Sequence, residues 1–221
     1  MAVISLGYVI VVAMLLPVGQ YAGQFFTSTQ ENYPAYHEVR LGGEFVRLTS
    51  IEQTTWAVAH SDPQLLADGV EPNRAAIDSA MRQLGHPDIE EPLKNLRELG
   101  LIASVLPIGE GAKSFAERYR IVPQVLGLGN TADALDDCLV GTPGEPRLSL
   151  PFDVYQVWLA SELHPCLWDA CDQVAQALGE ARERAGTAGE RITPGALAAG
   201  MVRLLPLLIA TSCAYTDLRR P

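Results

Sequence analysis

Four histidines and four cysteines are the side chains in this sequence best suited to chemistry, and their spacing keeps them apart. His37, His60, His86 and His164 are scattered; none sits in an HExxH pair or beside a nucleophile motif. Cys138, Cys166, Cys171 and Cys213 form no CxxC, and Cys166 and Cys171 fall on different faces if that stretch is helical. A zinc site from His164, Cys166 and Cys171 lacks the usual ligand spacing and a clear fourth ligand. The thiols read instead as small buried hydrophobes in a reducing cytoplasm. Asp136-Asp137 reads as a solvated pair on a short helix. Gly127-x-Gly129 is not followed by the glycine pattern of a dinucleotide fold, and there is no GxSxG and no Walker loop. The expectation is no catalytic residue, no metal and no cofactor, with enzymatic activity left as a minor alternative because active sites also assemble from distant residues.

Charge narrows the class of partner. The 221 residues hold 16 Lys+Arg against 26 Asp+Glu, a formal charge of −10, and 48 % of them are hydrophobic. That is a globular composition, able to bury a core. So acidic a chain repels phosphate unless its bases are segregated. They are not: acids outnumber bases 12 to 6 over 27–108, 6 to 4 over 109–150 and 8 to 6 over 151–221. Composition therefore weighs against nucleic acid as the partner.

The elements that must position any site begin with an uncharged stretch, Met1 to Phe26. It lacks the positive n-region of a secretory signal. Pro17, Gly19 and Gln20 interrupt it too early for a membrane span, and no basic residues flank it. Its β-branched density predicts a packed strand ending at Pro17-Val18-Gly19, with any membrane contact confined to residues 1–26. Further strands are expected at Tyr36–Leu41 and Glu44–Leu48. Helices follow from Ser50, over Arg74–Leu84 and over Asp88–Leu99, with Gly100 as a C-cap and an apolar strand at Leu101–Val105.

A second set of elements echoes the first. Gly43-Glu44 and Arg47-Leu48-Thr49 have counterparts in Gly144-Glu145 and Arg147-Leu148-Ser149; Trp56 matches Trp158, and Asp62-Pro63 matches His164-Pro165. Leu96, Arg97, Leu99, Leu101 and Ile102 align with Val202, Arg203, Leu205, Leu207 and Leu208, which predicts a helix ending at Pro206 and a strand at Leu207–Thr211. Helices are also expected over Pro151–Ala160 and Leu167–Arg184. Between the two sets, Tyr119–Val122 reads as a strand, Thr131–Leu139 as a short helix, Gly141–Gly144 as a linker and Gly186–Gly189 as a flexible loop. The expected division is an apolar segment (1–34), a first unit (35–108), a connector containing a strand (109–140) and a second unit (141–221).

Asp88-Ile89-Glu90-Glu91-Pro92-Leu93-Lys94-Asn95-Leu96-Arg97-Glu98-Leu99-Gly100-Leu101-Ile102 resembles the third helix of winged-helix domains. Two strands before three helices make the first unit similar to the PqqD-like peptide-recognition domains of modified-peptide biosynthesis, over roughly residues 35–105, with a fainter echo in 141–218. The resemblance implies an α+β, mainly helical chain of two tandem winged-helix-like units with small β-sheets. It also implies a non-enzymatic module that captures a peptide or partner protein, in which an incoming peptide adds a strand beside the sheet and leans on the third helix. The contacts expected on that basis are Phe45, Val46 and Arg47 on the strand, with Lys94 and Arg97, one turn apart on the helix, offering charge to an acidic peptide. A winged-helix DNA-binding regulator is the alternative, opposed by three acids among Asp88, Ile89, Glu90 and Glu91. A structural subunit of a larger complex is the other.

Overall fold

The computed structural model describes residues 12–186 and 192–221. It is an α+β chain with small antiparallel sheets. In the first half, strand β1 (Met14–Pro17) leads into β2 (Gln20–Phe25), β3 (Tyr36–Leu41) and β4 (Glu44–Leu48). Helices α1 (Ser50–Val58), α2 (Pro63–Ala67), α3 (Arg74–Gln83) and α4 (Glu90–Glu98) follow, then β5 (Ile102–Val105). Helix α5 (Gly109–Arg118) crosses to the second half. There β6 (Tyr119–Pro123), β7 (Leu126–Thr131), β8 (Ala134–Thr142) and β9 (Glu145–Pro151) precede α6 (Phe152–Ala160), α7 (Leu167–Ala185), α8 (Pro194–Ala210) and β10 (Ala214–Leu218). The loop expected at Gly186–Gly189 falls almost wholly outside the described residues, as does the start of the apolar N-terminal segment.

The pairing recurs along with the element order. Strand β1 pairs antiparallel with β5, and β2-β3-β4 form a three-stranded sheet; β6 pairs antiparallel with β10, and β7-β8-β9 form another. Both three-stranded sheets carry a register shift at the same place, between Tyr21 and Gly23 and between Gly127 and Gly129. The stretch expected to be a connector thus supplies β6, β7 and most of β8 to the second half's own sheets, and the segment before residue 35 supplies β1 and β2 to the first half's.

Local chemistry accounts for the helix starts. Thr49 and Glu52 form a reciprocal capping box on α1, with the Thr49 N–H donating to Glu52 Oε2 at 2.8 Å. Asn73 caps α3 by accepting from the Ala76 N–H at 3.1 Å. Thr193 caps α8, with Pro194 in its first turn.

Three expectations are corrected. Thr131–Leu139 is the β7–β8 hairpin, not a helix: Cys138 and Val140 alternate inward with strand period, a pattern masked in sequence by the exposed Leu135 and Asp136-Asp137. Gly141–Gly144 is the end of β8 and the turn into β9, not a linker. Leu207–Ala210 is helix, because α8 runs through Pro206. Proline costs that helix one hydrogen bond, but α8 is apolar on nearly every face and its burial outweighs the loss.

That correction moves the alignment of the two halves. The first half leaves α4 by a left-handed turn at Gly100 (φ 76°), where Gly100 N–H donates to Arg97 O and Leu101 N–H to Leu96 O. The second leaves α8 identically at Ser212 (φ 54°), with Ser212 N–H on Ile209 O and Cys213 N–H on Leu208 O. Leu96, Arg97, Gly100 and Leu101 therefore correspond to Leu208, Ile209, Ser212 and Cys213, later in the chain than sequence matching placed them. One continuous apolar core runs through both halves and takes in Trp56 and Trp158, which occupy the same position in α1 and α6.

Candidate functional site

The five residues expected to bind a peptide are divided between two surfaces. Phe45, Val46 and Arg47 lie on β4, an outer strand of the β2-β3-β4 sheet. Phe45 is 62 % exposed, which is high for an aromatic ring on a strand. Val46 faces Val39 across the ladder and packs against the core. Arg47 is already engaged, its guanidinium 4.2 Å from the Tyr36 ring centre and 3.3 Å from Glu38 Oε1. Those contacts hold the arginine against β3, next to the strand it shares with Phe45.

Lys94 and Arg97 are exposed on α4, whose buried face, Leu93 and Leu96, packs into the core. Helix α4 lies against α1, where the Asn95 amide donates to Glu52 Oε1 at 3.2 Å, and against β5. Among the described residues neither cation has an ion-pair partner; Glu90, one turn before Lys94, is bonded to Arg74. Arg97 lies at a cleft of about 530 Å³ whose other walls are β5, α5 and the start of β6. Within it Arg97 is joined by Arg118, Ser104 and Ser114. Sequence reading missed Arg118, because only the return of α5 towards β5 brings it to the same cleft as Arg97.

Three of the histidines bond to groups within the fold. Nδ1 of the half-buried His60 bonds to the Trp56 carbonyl at 3.0 Å, so that nitrogen carries the proton, and burial lowers the imidazole's pKa below its ordinary value. His37 pairs with the Tyr21 hydroxyl at 3.0 Å and His164 with Gln173. All four cysteines are buried free thiols. Burial pushes Cys138 and Cys166 up and Cys171 up to about 12, which keeps these three protonated and weakly nucleophilic at neutral pH. Among the described residues no group of three or more His, Cys, Asp or Glu side chains could hold a metal ion, and no helix is long and apolar enough to cross a membrane.

One buried charge pair was not anticipated. Arg120 (7 % exposed) donates from Nη2 to Asp217 Oδ2 (1 % exposed) at 2.9 Å across the β6–β10 ladder. Asp217 Oδ1 accepts from the N–H groups of Leu218, at 2.9 Å, and of Gly42 in the first half, at 2.6 Å. Nearby, Arg40 joins Gln20 to the Tyr215 hydroxyl. These bonds fasten the β3–β4 turn to β10. The available sequence signal was a lone arginine in the otherwise apolar Tyr119-Arg120-Ile121-Val122, which demands a buried acid.

No protein-family model, curated protein or solved structure matches the chain.

Proposed function

We propose that this protein is a non-enzymatic binding module that captures an extended segment of a peptide or partner protein by adding it as a strand along β4. Phe45 and Val46 would supply the apolar contact and Arg47 the polar one. The observation that carries the reading is a large aromatic left in solvent on an outer strand. Soluble proteins usually protect such edges with charge, proline or a covering element, since an open edge invites another strand. Among the described residues, no backbone hydrogen bond from outside the sheet reaches residues 44–48.

The finer architectural reading, two tandem winged-helix-like units of which the first is similar to PqqD-like recognition domains, is part of this proposal. It is supported by the recurrence of element order, strand pairing and bulge position in the two halves. Recognition of a precursor peptide on behalf of modifying enzymes follows from that similarity alone. The regulator alternative gains no support: α4 opens on the exposed Glu90 and Glu91, which would oppose phosphate.

The test is capture from a lysate of the source organism followed by hydrogen exchange on the purified complex. Slowed exchange of the amides of residues 44–48, and loss of the complex on Phe45→Glu but not on Tyr33→Glu, is the expected result. Tyr33 is even more exposed than Phe45 but lies outside the sheet. A partner whose binding survives Phe45→Glu and leaves those amides unprotected overturns the proposal.

A further inference from the structure

We propose a second and independent strand-acceptor site: the outer edge of β5, inside the cleft shared by Arg97 and Arg118, takes an extended acidic segment of a partner protein. The hydrogen-bond pattern shows which edge is open. The Val18 N–H donates to Leu101 O at 2.9 Å, and this pair lies in register with Leu16↔Ala103 and Met14↔Val105. In an antiparallel ladder bonded and non-bonded pairs alternate, so these three pairs face one another, while Ile102 and Ser104 turn their N–H and C=O groups to the opposite side. Leu15, opposite Ser104, obeys the same rule: its N–H leaves the ladder for Pro72 O at 2.7 Å. Ile102 and Ser104 line the cleft, and among the described residues no backbone hydrogen bond reaches either from outside the ladder.

The second half shows the same edge in use. There the Gln124 N–H donates to Cys213 O, so Thr216 on β10 turns outward as Ser104 does on β5. The Thr216 carbonyl accepts the Gly19 N–H at 2.7 Å, from the loop between β1 and β2. One copy of this edge thus receives a peptide group from elsewhere in the fold, and the other, among the described residues, receives none and lies in a cleft.

Charge selects the occupant. Among the described residues, Arg97 and Arg118 are the only charged side chains lining the cleft, in a chain whose net charge is −10. Among the described residues neither has a carboxylate partner; Arg118 rests against the Tyr119 ring, 5.4 Å from its centre. Ser104 and Ser114 add hydroxyl groups. An incoming strand would bond its main chain to Ile102 and Ser104 and set carboxylates against the two guanidiniums, where paired charge-assisted bonds give direction as well as affinity.

The probe is a fluorescein-labelled nonapeptide alternating valine with glutamate, titrated with the full chain at low salt and followed by anisotropy. Saturable binding is expected, weakened at least about tenfold by Arg97→Glu/Arg118→Glu and largely kept by Arg97→Lys/Arg118→Lys. Both side chains are exposed, so the variants should fold; an unchanged circular dichroism spectrum checks this. N-methylation of alternate peptide amides should weaken binding by a similar factor, because it removes the ladder bonds. The proposal is overturned by no saturable binding, by equal affinity in the double glutamate variant, or by equal affinity of the methylated peptide, which would mean attraction by charge alone. Phe45→Glu should leave this titration unchanged, so failure here and failure at β4 are separate results.

Discussion

The first half builds its short β1–β5 ladder from apolar pairs, whereas the second half builds the corresponding β6–β10 ladder around a buried ion pair. Met14 faces Val105 at the position where Arg120 faces Asp217. The apolar pair needs nothing beyond packing. The charged pair needs every polar group satisfied, and Asp217 meets this by drawing in the Gly42 N–H from the other half, although Nε and Nη1 of Arg120 find no partner among the described residues. The tryptophans contrast in the opposite sense. Trp56 Nε1 donates to Val18 O at 3.1 Å, while the equally buried Trp158 Nε1 has no acceptor among the described residues. One topology thus carries two different sets of polar commitments, and the second half's extra charge joins it to the first.

The ion pair is the sharpest place to break this comparison. Asp217→Val should cost about 3–5 kcal/mol in urea unfolding, because it strands the Arg120 charge and orphans the Gly42 N–H. Arg120→Met/Asp217→Val, which copies the first half's apolar design, should recover a large part of that loss. If the double variant is no better than Asp217→Val alone, the fastening of Gly42, and not the charge, is what matters.

The tryptophans come next. Trp56→Phe removes a satisfied donor and leaves the Val18 carbonyl unpaired, whereas Trp158→Phe removes a donor with no partner among the described residues. The first should therefore cost about 1–2 kcal/mol more than the second, read as the difference between two urea curves. The helix exits separate the halves by a similar amount. Gly100→Ala should destabilise by about 1–2 kcal/mol, since alanine is strained at φ 76° and a Cβ there meets only an ordinary contact with Leu41. Ser212→Gly should stabilise by about 1 kcal/mol, because that exit holds a non-glycine residue at φ 54°.

The smallest effect is a pH slope confined to the first half. Burial holds the folded-state pKa of His60 below its ordinary value near 6.5. The unfolded chain then binds the proton more readily. This contribution is at its full value above about pH 6.5 and declines as pH falls below it. His60→Gln should flatten the dependence of the urea midpoint on pH between about 7 and 5, whereas a change at the corresponding Glu162, which is exposed, should not.

Much of the local structure was legible in the residues. Tyr36–Leu41 and Glu44–Leu48 alternate with strand period and flank a Gly42-Gly43 turn, and the structure has strands over those same residues. Thr49 with Glu52 marks the start of α1 through bonds made within one turn. Trp56 and Trp158 do occupy equivalent helix positions. Elsewhere a local signal pointed the wrong way: Pro206 reads as a stop until the helix around it is seen to be buried, and Ser212 is not a residue that advertises a left-handed exit.

Of the expected contact residues, Phe45, Val46 and Arg47 fell together because they are consecutive on one strand. Lys94 and Arg97 are a turn apart on α4, and nothing in the sequence places Arg118 in a cleft with Arg97. By itself the sequence determined the acidic balance, most of the strand and helix periods, the start of α1 and the Gly100 exit, and the echo between the halves, because each depends on interactions between near neighbours in the chain. Only the tertiary structure decided that Arg120 meets Asp217, that Gly19 covers the edge of β10, and that among the described residues no backbone bond covers the outer edge of β5. Those outcomes depend on contacts between residues about a hundred or more apart in the chain, where no periodicity or capping rule reaches.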